Sequence, residues 1–176
     1  MIIRLADRDL LTKFGTFREI LYFDGQKESI ALVMGNVEEG EDVVCRIHSH
    51  CIGAHVFNSI ECNCREEMEL AQRMIQEDGR GVIIWLDQEG KGNGHLALIE
   101  SIPFKKAYGQ ARAYELAGYS ADARSYKPAA QILADLRVRS IVLLANSGSK
   151  AHDLKNEGVN VSKIHPLPVS SASSNS

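Results

Sequence analysis

Cys51, Cys62 and Cys64 stand close together in the chain, ten residues and then one residue apart, and the remaining cysteine, Cys45, lies just before them. No cysteine occurs elsewhere to staple distant parts of the chain, so the cluster points to metal or chemistry rather than to disulfides. Three thiolates differ from a closed structural zinc site, which takes four protein ligands; three leave a position for water. Zinc held this way is a Lewis acid and lowers the pKa of its water towards neutrality. Cys45 sits inside an apolar run and reads as a small buried hydrophobe. His48, His50 and His55 surround the first ligand, and each is a candidate fourth ligand that would close the site. A second block, Gln88 to Gly94 (QEGKGNG), directly follows an apolar run, where loops that bind or react are commonly placed.

These groups need a scaffold. Phe17 to Phe23, Ser29 to Met34 and Val43 to His48 are short β-branched or aromatic runs separated by Asp24-Gly25 and by an acidic stretch, which predicts an antiparallel meander. From Cys64 to Asp78 the apolar residues Met68, Ala71, Met74 and Ile75 recur at helical spacing, ended by Gly79. Gly81 to Leu86 predicts a buried strand, Phe104 to Ala117 a helix after Pro103, and Pro128 to Val138 a second helix. Ser140 to Ala145 reads as another strand, Ser149 to Asn156 as a short helix closed by Gly158, and Val159 to Ile164 as a last strand. The pattern predicts an α+β fold, a mixed β-sheet with antiparallel N-terminal strands covered by helices.

At 176 residues the chain has the size of one domain, expected over residues 1–168, with a serine-rich, flexible tail at 169–176. Its 44% apolar and 24% charged residues exclude both a disordered chain and a membrane protein. A net charge of −3 gives no global attraction for a nucleic-acid polymer, so a phosphate site must come from local clustering. Arg4, Asp7, Arg8 and Asp9 interrupt the N-terminus, which therefore lacks the apolar stretch of a secretory signal. A soluble, cytoplasmic protein is expected.

In the blocks RIHSHC, ECNC, DQEGKGNG, SADARSY and LLANSGSK the chain resembles the GTP cyclohydrolase II family, zinc enzymes that open the imidazole ring of GTP in riboflavin synthesis. The resemblance implies that Cys51, Cys62 and Cys64 are the zinc ligands. It implies that Asp122 is the proton acceptor and Arg124 the family's arginine nucleophile, attacking the α-phosphorus while diphosphate departs; an electrostatic clamp on the phosphate is the more conservative role for an arginine. Arg46, His48 and Ser49 match the segment that contacts the nucleotide, and His50 stands where the family usually has glutamate. Glu67 aligns with a family glutamine, Glu89 and Lys91 fall on the substrate-contacting EGR motif, and Lys150 on a late basic position serving the same ligand. Arg46, Lys91, Arg124 and Lys150 would supply the local basic patch that the overall charge lacks, with Mg2+ sharing that load. A homodimer is also implied.

The departures fall on ligand-contacting positions. Gly53, Ala54 and His55 replace threonine-glycine-aspartate, lysine replaces the arginine of EGR, Lys91 to His95 (KGNGH) stand for the pattern RNIGL with an apolar residue lost and a glycine gained, and the following helix has no clear counterpart of the family's tyrosine. Lysine cannot reproduce an arginine's planar two-point grip. Three readings follow: a GTP cyclohydrolase II-type hydrolase releasing formate and diphosphate; a diverged member acting on another nucleotide or N-heterocycle, in pyrimidine catabolism or specialised metabolism; and a non-catalytic module that binds zinc and nucleotide.

Overall fold

The computed structural model describes residues 1–169. The chain runs β1 (Ile3–Thr12), β2 (Gly15–Phe23), β3 (Glu28–Met34), β4 (Val43–Ser49), α1 (Ile52–His55), α2 (Cys64–Asp78), β5 (Gly81–Leu86), α3 (His95–Tyr108), α4 (Gln110–Leu116), α5 (Lys127–Asp135), β6 (Ile141–Leu144), α6 (Ser149–Asn156) and β7 (Val161–His165). The strands form one sheet in the order β1-β2-β3-β5-β4-β6-β7. Pairings from β1 through β3 to β5 are antiparallel, and those joining β5, β4, β6 and β7 are parallel. The fold is α+β with a mixed sheet and antiparallel N-terminal strands, as the sequence predicts.

The expected meander is corrected at its third strand. Val43–Ser49 does not pair with β3; β5 is inserted between them, antiparallel to β3 and parallel to β4. The continuous apolar run of β5, covered on both faces, suits that central place. β1 carries no apolar run because it is the exposed edge of the sheet, where charges discourage pairing with another chain; Asp7–Arg18 and Arg8–Glu19 bridge it to β2. The helix expected over Phe104 to Ala117 begins earlier, at His95, contains Pro103, and stops at Gly109, after which α4 starts. A proline within a helix removes one backbone hydrogen bond and its ring crowds the carbonyl four residues back, so Pro103 weakens α3 at that turn without ending it.

Two apolar clusters straddle the sheet. One packs α5 and α6, through Ala129, Ile132, Ala151 and Leu154, against Cys45, Ile47, Ile84 and Leu143. The other sets Ala71 and Ile75 of α2 against Ile83, Leu144 and Phe17. α2 ends where Gly79 takes a left-handed conformation, φ 79°, and donates to the Ile75 carbonyl. Among the described residues no helix is long and apolar enough to cross a membrane. The tail expected at 169–176 lies, apart from Val169, outside the described residues.

The topology also locates the site. β4 is flanked by β5 on one side and β6 on the other, all three parallel. Chain segments leaving their carboxyl ends diverge there and open a crevice, the usual ligand position in parallel sheets.

Candidate active site

Three loops meet at that crevice. The loop after β4 carries Cys51, the N-cap of α1; Cys64 is the first residue of α2, with Cys62 just before it. The three sulfur atoms lie within 4.8 Å of one another, and Cys51 Sγ is 3.6 Å from Cys62 Sγ. Thiolates about 2.3 Å from one tetrahedral zinc lie about 3.8 Å apart, so the spacing of the trio suits such an ion. Without metal, hydrogen bonding from Cys64 holds the Cys62 thiol well below its usual range. That same interaction and burial push Cys64 up, and burial pushes up Cys51. The trio thus retains protons that a divalent cation would displace.

Among the described residues no histidine joins the trio. His50 Nδ1 lies 3.3 Å from Asp87 Oδ1, with its ring against Trp85. His55 Nε2 is 2.9 Å from His48 Nε2, one of the two donating to the other. His48 is buried, and burial with the nearby Arg46 pushes its pKa down to about 2, so it acts as a neutral imidazole. Glu89 supports the turn that carries Cys51: its Oε1 accepts from the Ile52 N–H at 3.0 Å and lies 3.1 Å from His95 Nδ1.

Beside the trio is a cleft of about 300 Å3 that Cys64 lines together with Arg46, His48, Ser49, Glu67, Arg124 and Lys150. Arg46 and His48 alternate on β4 and so share one face of it. Buried Arg46 donates to the Leu144 carbonyl at 3.0 Å and to Glu67 Oε2 at 2.5 Å. Lys150, at the start of α6, donates to the Ile47 carbonyl at 2.8 Å; burial, then Arg46 and Arg124, push it down to about 7. Arg124 grips Asp122 through Nε (2.9 Å) and Nη2 (2.6 Å), and its guanidinium lies 5.9 Å from the centre of the Tyr126 ring. Burial raises Asp122, but the hydrogen bonds from Arg124 outweigh it and hold the carboxyl low; the same pairing raises Arg124.

His50, Glu89 and Lys91 do not line this cleft. Lys91 has a positive φ of 50° in the loop after β5, where its carbonyl accepts from the Ala123 N–H at 2.8 Å. At Gly92 (φ 83°) a Cβ would stand 2.5 Å from the Ala123 carbonyl oxygen, so only glycine lets the loop approach this closely. Asn93 adds a bond to the Ser120 carbonyl. The glycine-rich loop is therefore a template for the Asp122–Arg124 segment.

Gln88 completes that template, a role its sequence position alone does not reveal. Buried after β5, it donates to Ser49 Oγ at 3.2 Å and accepts from the Ser125 N–H at 3.1 Å. Asn146, Ser147 and Ser149, in the segment LLANSGSK, also line the cleft. A larger cavity of about 550 Å3, bounded by Lys27, Gln88, Ser125 and Lys127, contains none of the cysteines or cleft cations.

Fold and site define an α+β enzyme whose cysteine cluster could hold a metal ion beside a cationic cleft. The chain belongs to the GTP cyclohydrolase II family, whose family model matches residues 4–166. It is 36% identical to a GTP cyclohydrolase-2 of Actinobacillus succinogenes, over 96% of this chain and 79% of that protein. A GTP cyclohydrolase-2 of Archaeoglobus fulgidus is 41% identical over 92% of this chain, and the riboflavin biosynthesis protein RibBA of Bacillus subtilis 38% over 95%. The chain spans 43% of each of these two longer proteins. A crystal structure of RibBX, a two-domain 3,4-dihydroxy-2-butanone 4-phosphate synthase from A. baumannii, shares the fold at a TM-score of 0.52 and 19% identity. That match covers 93% of this chain and 40% of that one.

Proposed function

We propose that the chain is a zinc-dependent hydrolase of the GTP cyclohydrolase II type, opening the imidazole ring of GTP with release of formate and diphosphate. One observation carries this reading: Cys64 belongs both to the thiol trio and to the wall of a cleft lined by Arg46, Arg124 and Lys150. Zinc held by the trio would supply Lewis-acid polarisation and an activated hydrolytic water. The chain's own residues do the rest. Lys150 and Arg124 bind and orient the phosphates, with Mg2+ accompanying them. Arg124 stays a cation because Asp122 is bound to it, which suits an electrostatic clamp on departing diphosphate better than a nucleophile. Neutral His48 lines the cleft with its Nε2 engaged by His55, and Ser49, tied to Gln88, positions the strand end ahead of Cys51.

The partner is a small nucleotide, not a nucleic-acid polymer or a membrane; a cytoplasmic homodimer is the setting we infer. The reading is tested by incubating the purified protein with GTP and magnesium while following ultraviolet absorbance and formate. Stoichiometric formate supports it, and intact GTP after prolonged incubation with zinc-loaded protein removes it. A diverged substrate is the second reading, favoured by the Arg46–Glu67 ion pair inside the cleft; a panel of other nucleotides and free heterocycles distinguishes it.

A further inference from the structure

Glu67 stands one helical turn after Cys64 on α2 and lines the same cleft; residues three apart on a helix share a face. Its carboxylate is partly exposed, whereas the Arg46 side chain that holds it is buried. None of the three cleft cations is free. Arg46 spends one terminal nitrogen on the Leu144 carbonyl and the other on Glu67. Arg124 gives Nε and Nη2 to Asp122, and Lys150 donates to the Ile47 carbonyl. With Lys150 protonated, three positive charges set against the carboxylates of Glu67 and Asp122 leave a single one uncompensated among these five side chains. A terminal phosphate brings about two negative charges, and a triphosphate several.

We propose that Glu67 makes the cleft charge-selective. The cleft accepts a nucleotide that turns N–H donors towards Glu67 and one phosphate towards Lys150 and Arg124, and it takes a polyphosphate only with a divalent cation on its phosphates. The physical basis is repulsion: a phosphate oxygen beside Glu67 places like charges together in half-buried surroundings where screening is weak, while an amino or ring N–H there gains a charge-assisted hydrogen bond. This rests on the reading of the cleft as a nucleotide site and narrows its substrate to a class.

Calorimetric binding of GMP and GTP to the zinc-loaded protein, with and without magnesium, tests it, in wild type and in Glu67→Gln. The pH is kept below the Lys150 midpoint so that this amine stays charged. Wild type is expected to bind GMP at least as tightly as magnesium-free GTP, and magnesium to restore GTP binding. Glu67→Gln is expected to raise the GTP-to-GMP affinity ratio about tenfold without magnesium. The proposal is overturned by a wild type that prefers magnesium-free GTP, by an unchanged ratio in folded variant, or by no binding of either nucleotide. Should the variant fail to fold, the wild-type series decides alone. Formate is measured on the same samples: selective binding without formate removes the ring-opening reading and leaves charge selection standing, and formate with unselective binding does the reverse.

Discussion

The three cations of the cleft are held in three different ways, and the difference decides what each can do. Arg124 is fixed by a carboxylate that raises its pKa, so it is charged at every working pH. Arg124→Ala should keep its metal and lose about 100-fold in turnover, the size typical of removing one oriented electrostatic group; a wild-type formate rate would remove the clamp role. Lys150 is the opposite case. Burial, Arg46 and Arg124 lower it to about 7 from 10.5, against the pull of Glu67 and Cys45. Between those values the unfolded chain binds the extra proton, so this lysine destabilises the fold at neutral pH and stability rises as pH climbs through the window. A phosphate beside Lys150 raises the amine again. Nucleotide binding above about pH 7 should therefore take up a proton and weaken as pH increases. Calorimetry in buffers of different ionisation heat measures that uptake, and Lys150→Met should abolish it; equal uptake in the variant would assign the proton elsewhere.

At the scale of elements, the site depends on how closely the loop after β5 packs on the Asp122–Arg124 segment. Gly92→Ala would force a Cβ into the Ala123 carbonyl at a positive φ, costing about 1–3 kcal/mol and displacing Arg124. The expected outcome is a lowered melting temperature with reduced turnover and unchanged zinc. Gly79→Ala is the control: its φ is also positive but nothing lies within 4 Å of the added carbon, so it should cost about 1 kcal/mol and spare turnover. Equal losses of turnover in both would refute the template role. The sequence made the chemistry-bearing blocks legible because cysteine spacing and a glycine-rich loop are local patterns. The helices of the core and most strands were legible for the same reason, through Met68, Ala71 and Ile75 on α2 or the apolar run of β5. What stayed hidden is non-local. β1 is masked by edge charges, α1 is only one turn long, and the insertion of β5 between β3 and β4 is fixed by burial on both faces. Gln88 gains its role only when Ser49 and Ser125, 39 and 37 residues away, are brought to it.

Across the whole molecule, the net charge of −3 gives no general attraction for polyanions, and the function proposed here leaves their selection to the few oriented charges of the cleft. Leu96, Ile99 and Ile102, exposed at helical spacing on α3, would be covered in the homodimer inferred here. Sedimentation at micromolar concentration should give a dimer, and a monomer at all concentrations would remove that inference. The central claim is that three thiols hold one zinc ion whose chemistry acts on a nucleotide in the adjoining cleft. Its most direct test is formate release from GTP as metal-free protein is titrated with zinc. The rate should rise from zero in proportion to zinc and level off at one equivalent per chain; formate release that is independent of zinc would contradict it.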